Sequence, residues 1–173
     1  VDWEPEIHRE FKAVFAGIPR VYVARGDIFT VVPDCPADAY MSSANTIGNM
    51  DGGIDRAYAD RFGWSYGRPF CEPNPLQLAI DEVKGSGLSL SLGEAITVRD
   101  GRHCLIAAVS MEDPNYPIPP GSVVIRDACK AGFARWRADP AISALRCQAF
   151  GTNYGKVPPR IAAQQMLEGF IHA

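Results

Sequence analysis

The amino-acid sequence predicts an α/β fold, with a largely parallel or mixed sheet and helices on both faces. Three observations predict it. Short apolar runs of strand length alternate with longer segments whose apolar residues recur at helical spacing. Glycine, proline and Asx residues punctuate the boundaries between them. A chain of 173 residues is also long enough to bury one substantial core, so a single domain over 1–173 is expected.

The first element is a helix over 5–18. Ile7, Phe11, Val14, Phe15 and Ile18 fall on one stripe, and Gly17 and Pro19 end it. Val21-Tyr22-Val23-Ala24 reads as a short buried strand closed by Arg25-Gly26-Asp27. A second strand is expected within 37–44, leading into an Asn- and Gly-rich turn. After Gly52-Gly53 a helix is expected over 54–62, stopping at Gly63. Another follows over 76–83, ended by Gly85-Ser86-Gly87. Strands over 94–98 and 104–111 are joined by Asp100-Gly101, a hairpin signal. A proline-rich loop over 114–120 precedes a helix over 122–136, with Ser122 as its N-cap. The last strand is expected over 145–150 and the last helix over 159–171.

Composition excludes several classes. A formal net charge of −3 disfavours a nucleic-acid partner, because phosphate contacts need a basic surplus. The best apolar run, Cys104 to Val109, is far too short to span a bilayer, so no membrane partner is expected. Val1-Asp2-Trp3-Glu4 lacks the basic-then-apolar order of a secretory signal. Cysteines at 35, 71, 104, 129 and 147 are odd in number with no C-x-x-C pair. That pattern suggests neither a disulfide framework nor a metal site, and it fits reduced thiols in the cytoplasm.

Ligands of α/β sheets bind at the carboxyl ends of strands, in loops leading to helices. Three such stretches are unusual: Gly26-Asp27-Ile28, the run from Ser43 to Asp55, and the run from Phe150 to Pro158. A Gly pair entering a helix leaves backbone N–H groups pointing outward at the positive end of the dipole, which suits a phosphate. The alternative is a flexible turn in which Asp55 merely helps cap the helix. Other phosphate and hydrolase motifs fail. Gly151 to Val157 glances at a P-loop but lacks a Ser or Thr after Lys156, and no G-x-S-x-G elbow is present.

In order along the chain stand Gly26-Asp27-Ile28, Ala44-Asn45, Gly52-Gly53-Ile54-Asp55, Gly93-Glu94-Ala95, and Gly151-Thr152 before Pro158. This register resembles the motifs of the macrodomain family from about Val21 to the end. The resemblance implies a three-layer α/β/α sandwich with a mixed central sheet. It implies ADP-ribose, or an ADP-ribosylated protein, as partner, and no cofactor. Asp27, with the Ile28 amide nearby, matches the acid that accepts from the adenine amino group. Asn45 matches the asparagine that holds the distal ribose hydroxyls, acting with Asp55 in catalysis. Gly52, Gly53 and Ile54, next to Asp51, match the first phosphate loop. Asp55 matches the acid that positions or activates water in hydrolytic members. Gly151, Thr152, Asn153, Tyr154 and Gly155 match the loop that cradles the pyrophosphate.

Each role fits its chemistry. An ionised carboxylate only accepts, so it selects an amino group over a carbonyl. Asn offers both donor and acceptor to a vicinal diol. Glycine lets the main chain approach the diphosphate. Asp27 could instead cap a turn, and Asn45 could bond its own backbone. At the start of a helix Asp55 is expected to stay ionised, because the dipole favours charge. Four residues depart from the family pattern, Asn153 among them at a common glycine. Asp51 brings negative charge towards an anionic ligand. Lys156 stands at a common glycine and supplies compensating charge or points to solvent. Gly155 stands where an aromatic is frequent, with Tyr154 adjacent. The readings that follow are an ADP-ribosyl hydrolase acting on an ester-type linkage, a non-catalytic ADP-ribose reader, or an ADP-ribose 1″-phosphate phosphatase. The oligomeric state is not readable from the sequence.

Overall fold

The computed structural model describes residues 1–31, 34, 36–64, 74–85, 89–113 and 115–173. Along them run α1 (Pro5–Val14), β1 (Ala39–Asn45), α2 (Gly53–Phe62), α3 (Pro75–Lys84), β2 (Ala95–Arg99), β3 (Cys104–Met111), α4 (Val124–Ala138), β4 (Leu145–Cys147) and α5 (Pro159–Ile171). The strands form one mixed sheet in the order β2-β3-β1-β4. β1 runs parallel to both β3 and β4, and β2 pairs antiparallel with β3.

β3 is buried along its length except at Met111, so it must be covered on both faces. Its alternation sets the layers. Leu105, Ala107 and Val109 pack with Tyr58 and Phe62 of α2 and with Leu76 and Ile80 of α3. Ile106 and Ala108 pack with Phe11 of α1, Phe133 of α4 and Met166 of α5. The result is the three-layer α/β/α arrangement with a mixed sheet. On the α2 side, the rings of Phe29, Tyr40, Tyr58 and Phe62 meet at 5.3–5.8 Å between centroids. Edge, tilted and stacked contacts of this kind add to area burial, and they lock α2 onto the sheet.

Four local expectations change. α1 ends at Val14, where Phe15 caps it by donating to the Phe11 carbonyl, and a turn through Gly17 follows. The segment 21–24 keeps a strand's alternation, with Val21 and Val23 against the core and Tyr22 exposed. It has no ladder, however; its end meets only a single bridge between Asp2 and Arg25. Ser122 is not the N-cap of α4. It precedes the cap residue Val123, and its hydroxyl accepts from the Val124 amide at 3.3 Å. β4 stops at Cys147 because the Gln148 side chain takes over the next bonds to β1. Its amide donates to the Met41 carbonyl and accepts from the Ser43 amide, each at 2.9 Å.

The hairpin turn forms as expected. Asp100 accepts from the Arg102 and His103 amides and from the Trp64 indole at 2.7 Å. Burial alone would raise the Asp100 carboxyl, but these bonds and the His103 ring hold it well below the usual range. Cys104, Cys129 and Cys147 are free thiols; Cys35, Cys71, Ser86, Gly87 and Pro114 lie outside the described residues. Among the described residues no helix is long and apolar enough to cross a membrane.

Candidate functional site

The parallel strands β1, β3 and β4 end on one side of the sheet. The loops leaving them surround a cleft of about 790 Å3, within the size range of small-molecule sites. Asp27, Ile28, Asn45, residues 51–55 and residues 151–155 all line it. Lys156 does not line it and is exposed. Its φ of 55° is a conformation a glycine would adopt without strain. Gly93 and Glu94 also lie outside the cleft. There Glu94 accepts from the Ser91 amide and from Lys84, which holds its carboxyl below the ordinary value.

Asn45, at the end of β1, is buried and organises the loop after it. Its Oδ1 accepts from the amides of Ile47 (3.2 Å) and Asn49 (3.1 Å), and its Nδ2 donates to the Asn49 carbonyl (2.9 Å). Both oxygen lone pairs are thereby used. The expectation that Asn45 offers a donor and an acceptor to a diol is corrected: one N–H remains for a ligand.

The chain then enters α2 through Gly52, an extended cap residue with no side-chain cap. The amides at the start of α2 are left for an external acceptor, as at any uncapped N-terminus. Asp55 does not cap them. Its Oδ1 accepts instead from the Ser42 hydroxyl of β1 at 2.5 Å. Gly53 has φ 55°, and a Cβ there would come within 3.0 Å of the Tyr154 ring. The two glycine-rich loops therefore meet across the cleft, with half-exposed Tyr154 as the lid of the contact.

The second loop closes on itself. Val157 donates to the Gly151 carbonyl and Ile118 to that of Gly155, each at 3.0 Å. A Cβ on Gly155 would lie 2.6 Å from the Gly151 oxygen, so the loop admits no side chain there. Asp27 spends Oδ1 on the Phe29 amide at 2.7 Å, an Asx turn. Asp27 and Ile28 both line the cleft beside this turn.

Asp55 departs most from expectation. Burial is the main cause, and it pushes the carboxyl up to about 7. The Ser42 bond opposes this and the nearby Asp51 charge adds to it. Desolvation by the sheet and α2 thus outweighs the helix dipole, whose effect at a terminus is only about 0.3–1 kcal/mol. The group is poised to exchange a proton near neutral pH.

Sequence reasoning passed over Ser42, Gln148 and the four residues Val1 to Glu4, of which all but Ser42 line the cleft. Ser42 carried a readable signal. It is a polar residue on the strand face that also carries Tyr40 and Ala44, and a buried hydroxyl there requires a partner. Among the described residues no group of three or more His, Cys, Asp or Glu is placed to hold a metal ion.

No family model and no curated protein matches the chain. Solved structures do. The macrodomain of Mycobacterium tuberculosis DarG superposes with a TM-score of 0.63 at 15% identity, covering 84% of this chain and 86% of that one. The macrodomain of Thermus aquaticus DarG gives 0.60 at 15% identity, covering 86% and 88%. An alphavirus P23pro-zbd structure gives 0.51 at 16% identity, covering 79% of this chain and 18% of the larger viral one. The fold is that of a macrodomain.

Proposed function

We propose that this cleft binds ADP-ribose and hydrolyses an ester-type ADP-ribosyl linkage on a modified protein. The observation that carries the reading is Asp55: a carboxyl raised to about 7, beside uncapped helix amides, in a cleft closed by two glycine-rich loops. The macrodomain fold supports it as well. The loop amides hold the diphosphate, which fixes the distal ribose over Asp55. Ionised Asp55 takes a proton from water as the water oxygen bonds to the anomeric carbon. The bond from that carbon to the protein carboxylate breaks, and the carboxylate leaves without needing a proton.

The test pairs release of ADP-ribose from an ester-modified protein with calorimetric binding of free ADP-ribose. Asp55→Ala should slow release by roughly 10²–10⁴-fold, the range for a general acid–base group, while product affinity changes little. Equal release by parent and variant would refute the mechanism. A second reading, a reader without turnover, is favoured by Asn45, whose oxygen is already committed to its own loop. Binding by the parent with no release would establish that one.

A further inference from the structure

Resting on ADP-ribose as the ligand, we infer that Trp3 is the stacking platform for the nucleobase, and so a specificity residue outside the macrodomain motifs. The residues before α1 are tied to the stretch that ends in Asp27. Asp2 donates to the Ala24 carbonyl (3.3 Å) and accepts from the Gly26 amide (3.1 Å). Arg25 donates from Nε to the Trp3 carbonyl at 3.0 Å. These bonds hold the Trp3 backbone within a few residues of the carboxylate proposed to read the base. Trp3 lines the cleft yet is 66% exposed. A large aromatic fixed through its backbone at the lip of a polar cleft, with most of its surface in water, has area to give to a flat ligand. Tyr154, which also lines the cleft, stands over Gly53. The cleft thus offers two aromatics and uncapped helix amides, the partners that a base, a diphosphate and a second sugar require.

The other tryptophans make the inference testable. Trp64 is buried and bonded to Asp100, and Trp136 donates to the Ile142 carbonyl; neither lines the cleft. Ligand-dependent quenching of fluorescence should therefore come from Trp3. Adenosine monophosphate should quench the parent and ribose 5-phosphate should not. Quenching should vanish in Trp3→Phe. By calorimetry Trp3→Ala should bind ADP-ribose about 5- to 150-fold more weakly, the range for losing one stacked base. Trp3→Phe should keep most of the affinity, because a phenyl ring still stacks. All of these substitutions leave the backbone bonds in place. If the parent binds ADP-ribose and Trp3→Ala binds it equally well, the platform is overturned and the ligand stands. A loss of the same size in Trp3→Phe also overturns stacking. If the parent shows no binding of ADP-ribose, the ligand assignment has failed and the platform falls with it.

Discussion

Asp27 spends one carboxylate oxygen on its own turn, and a ligand contact by the other can be tested apart from it. Oδ1 holds the Phe29 amide, while the macrodomain resemblance implies that the second oxygen accepts from the adenine amino group. Asp27→Ala removes both, so a loss of affinity there would mix turn and ligand. Asp27→Asn is the cleaner probe. Its oxygen can still accept from Phe29, but the second position becomes an NH2 donor. The variant should lose about 1–3 kcal/mol of ADP-ribose binding and gain preference for the inosine analogue, whose carbonyl accepts. Calorimetry with both ligands decides it: an unchanged preference means Asp27 serves only the turn. Asn45 shows the converse case, in which side-chain chemistry readable as ligand contact is mostly consumed by the loop it shapes.

At the scale of elements, the second loop is built around missing side chains. Gly155 faces the Gly151 carbonyl so closely that a methyl group would sit at 2.6 Å. The obstacle is backbone and cannot rotate away. Gly155→Ala should therefore open the loop, cost about 1–3 kcal/mol of stability as overpacking does, and weaken ADP-ribose binding at least tenfold. Thermal melts and calorimetry would check this, and full affinity with a normal melt would show that the loop is not the cradle. α2 and α5 are legible from sequence because each carries a boundary signal. α2 ends at Gly63 in the left-handed region, and α5 starts after a proline. The stretch 21–24 has a strand's pattern without a strand's ladder, because apolar alternation reports burial of one face and says nothing of a partner for the backbone. β4 is shorter than its pattern because a glutamine side chain replaces the main chain in bonding to β1. Nothing local encodes that exchange. Much of the cleft lining is legible in three separated stretches of sequence, while the electrostatics of Asp55 are not. They arise from burial against the packed sheet, which the Ser42 bond across thirteen residues of sequence opposes and the Asp51 charge reinforces.

For the whole molecule, Asp55 links the proposed chemistry to stability. In the unfolded chain its carboxyl titrates near the ordinary 3.8, and in the folded protein at about 7. Below both values each state holds the proton and Asp55 adds no pH dependence. Between about 4 and 7 the unfolded state has lost the proton while the folded state keeps it. The folded state binds more protons, so stability falls as pH rises. Above about 7 both states are ionised and the full cost is in place. With 1.36 kcal/mol per pKa unit, that cost is about 4 kcal/mol at most. Asp55→Asn removes the charge and keeps an oxygen that can accept from Ser42. Urea unfolding of parent and variant should agree near pH 4. At pH 8 the variant should be the more stable by a few kcal/mol. Taking the difference between the two proteins cancels the titrating groups that do not interact with Asp55, whereas Asp51 and Tyr58 are coupled to it. The same substitution should slow release of ADP-ribose by roughly 10²–10⁴-fold, and the parent's turnover should rise through pH 7 as Asp55 ionises. A stability difference independent of pH would mean that Asp55 titrates normally in the fold. The carboxylate would then be a weak base, and the hydrolytic mechanism would lose the group on which it depends.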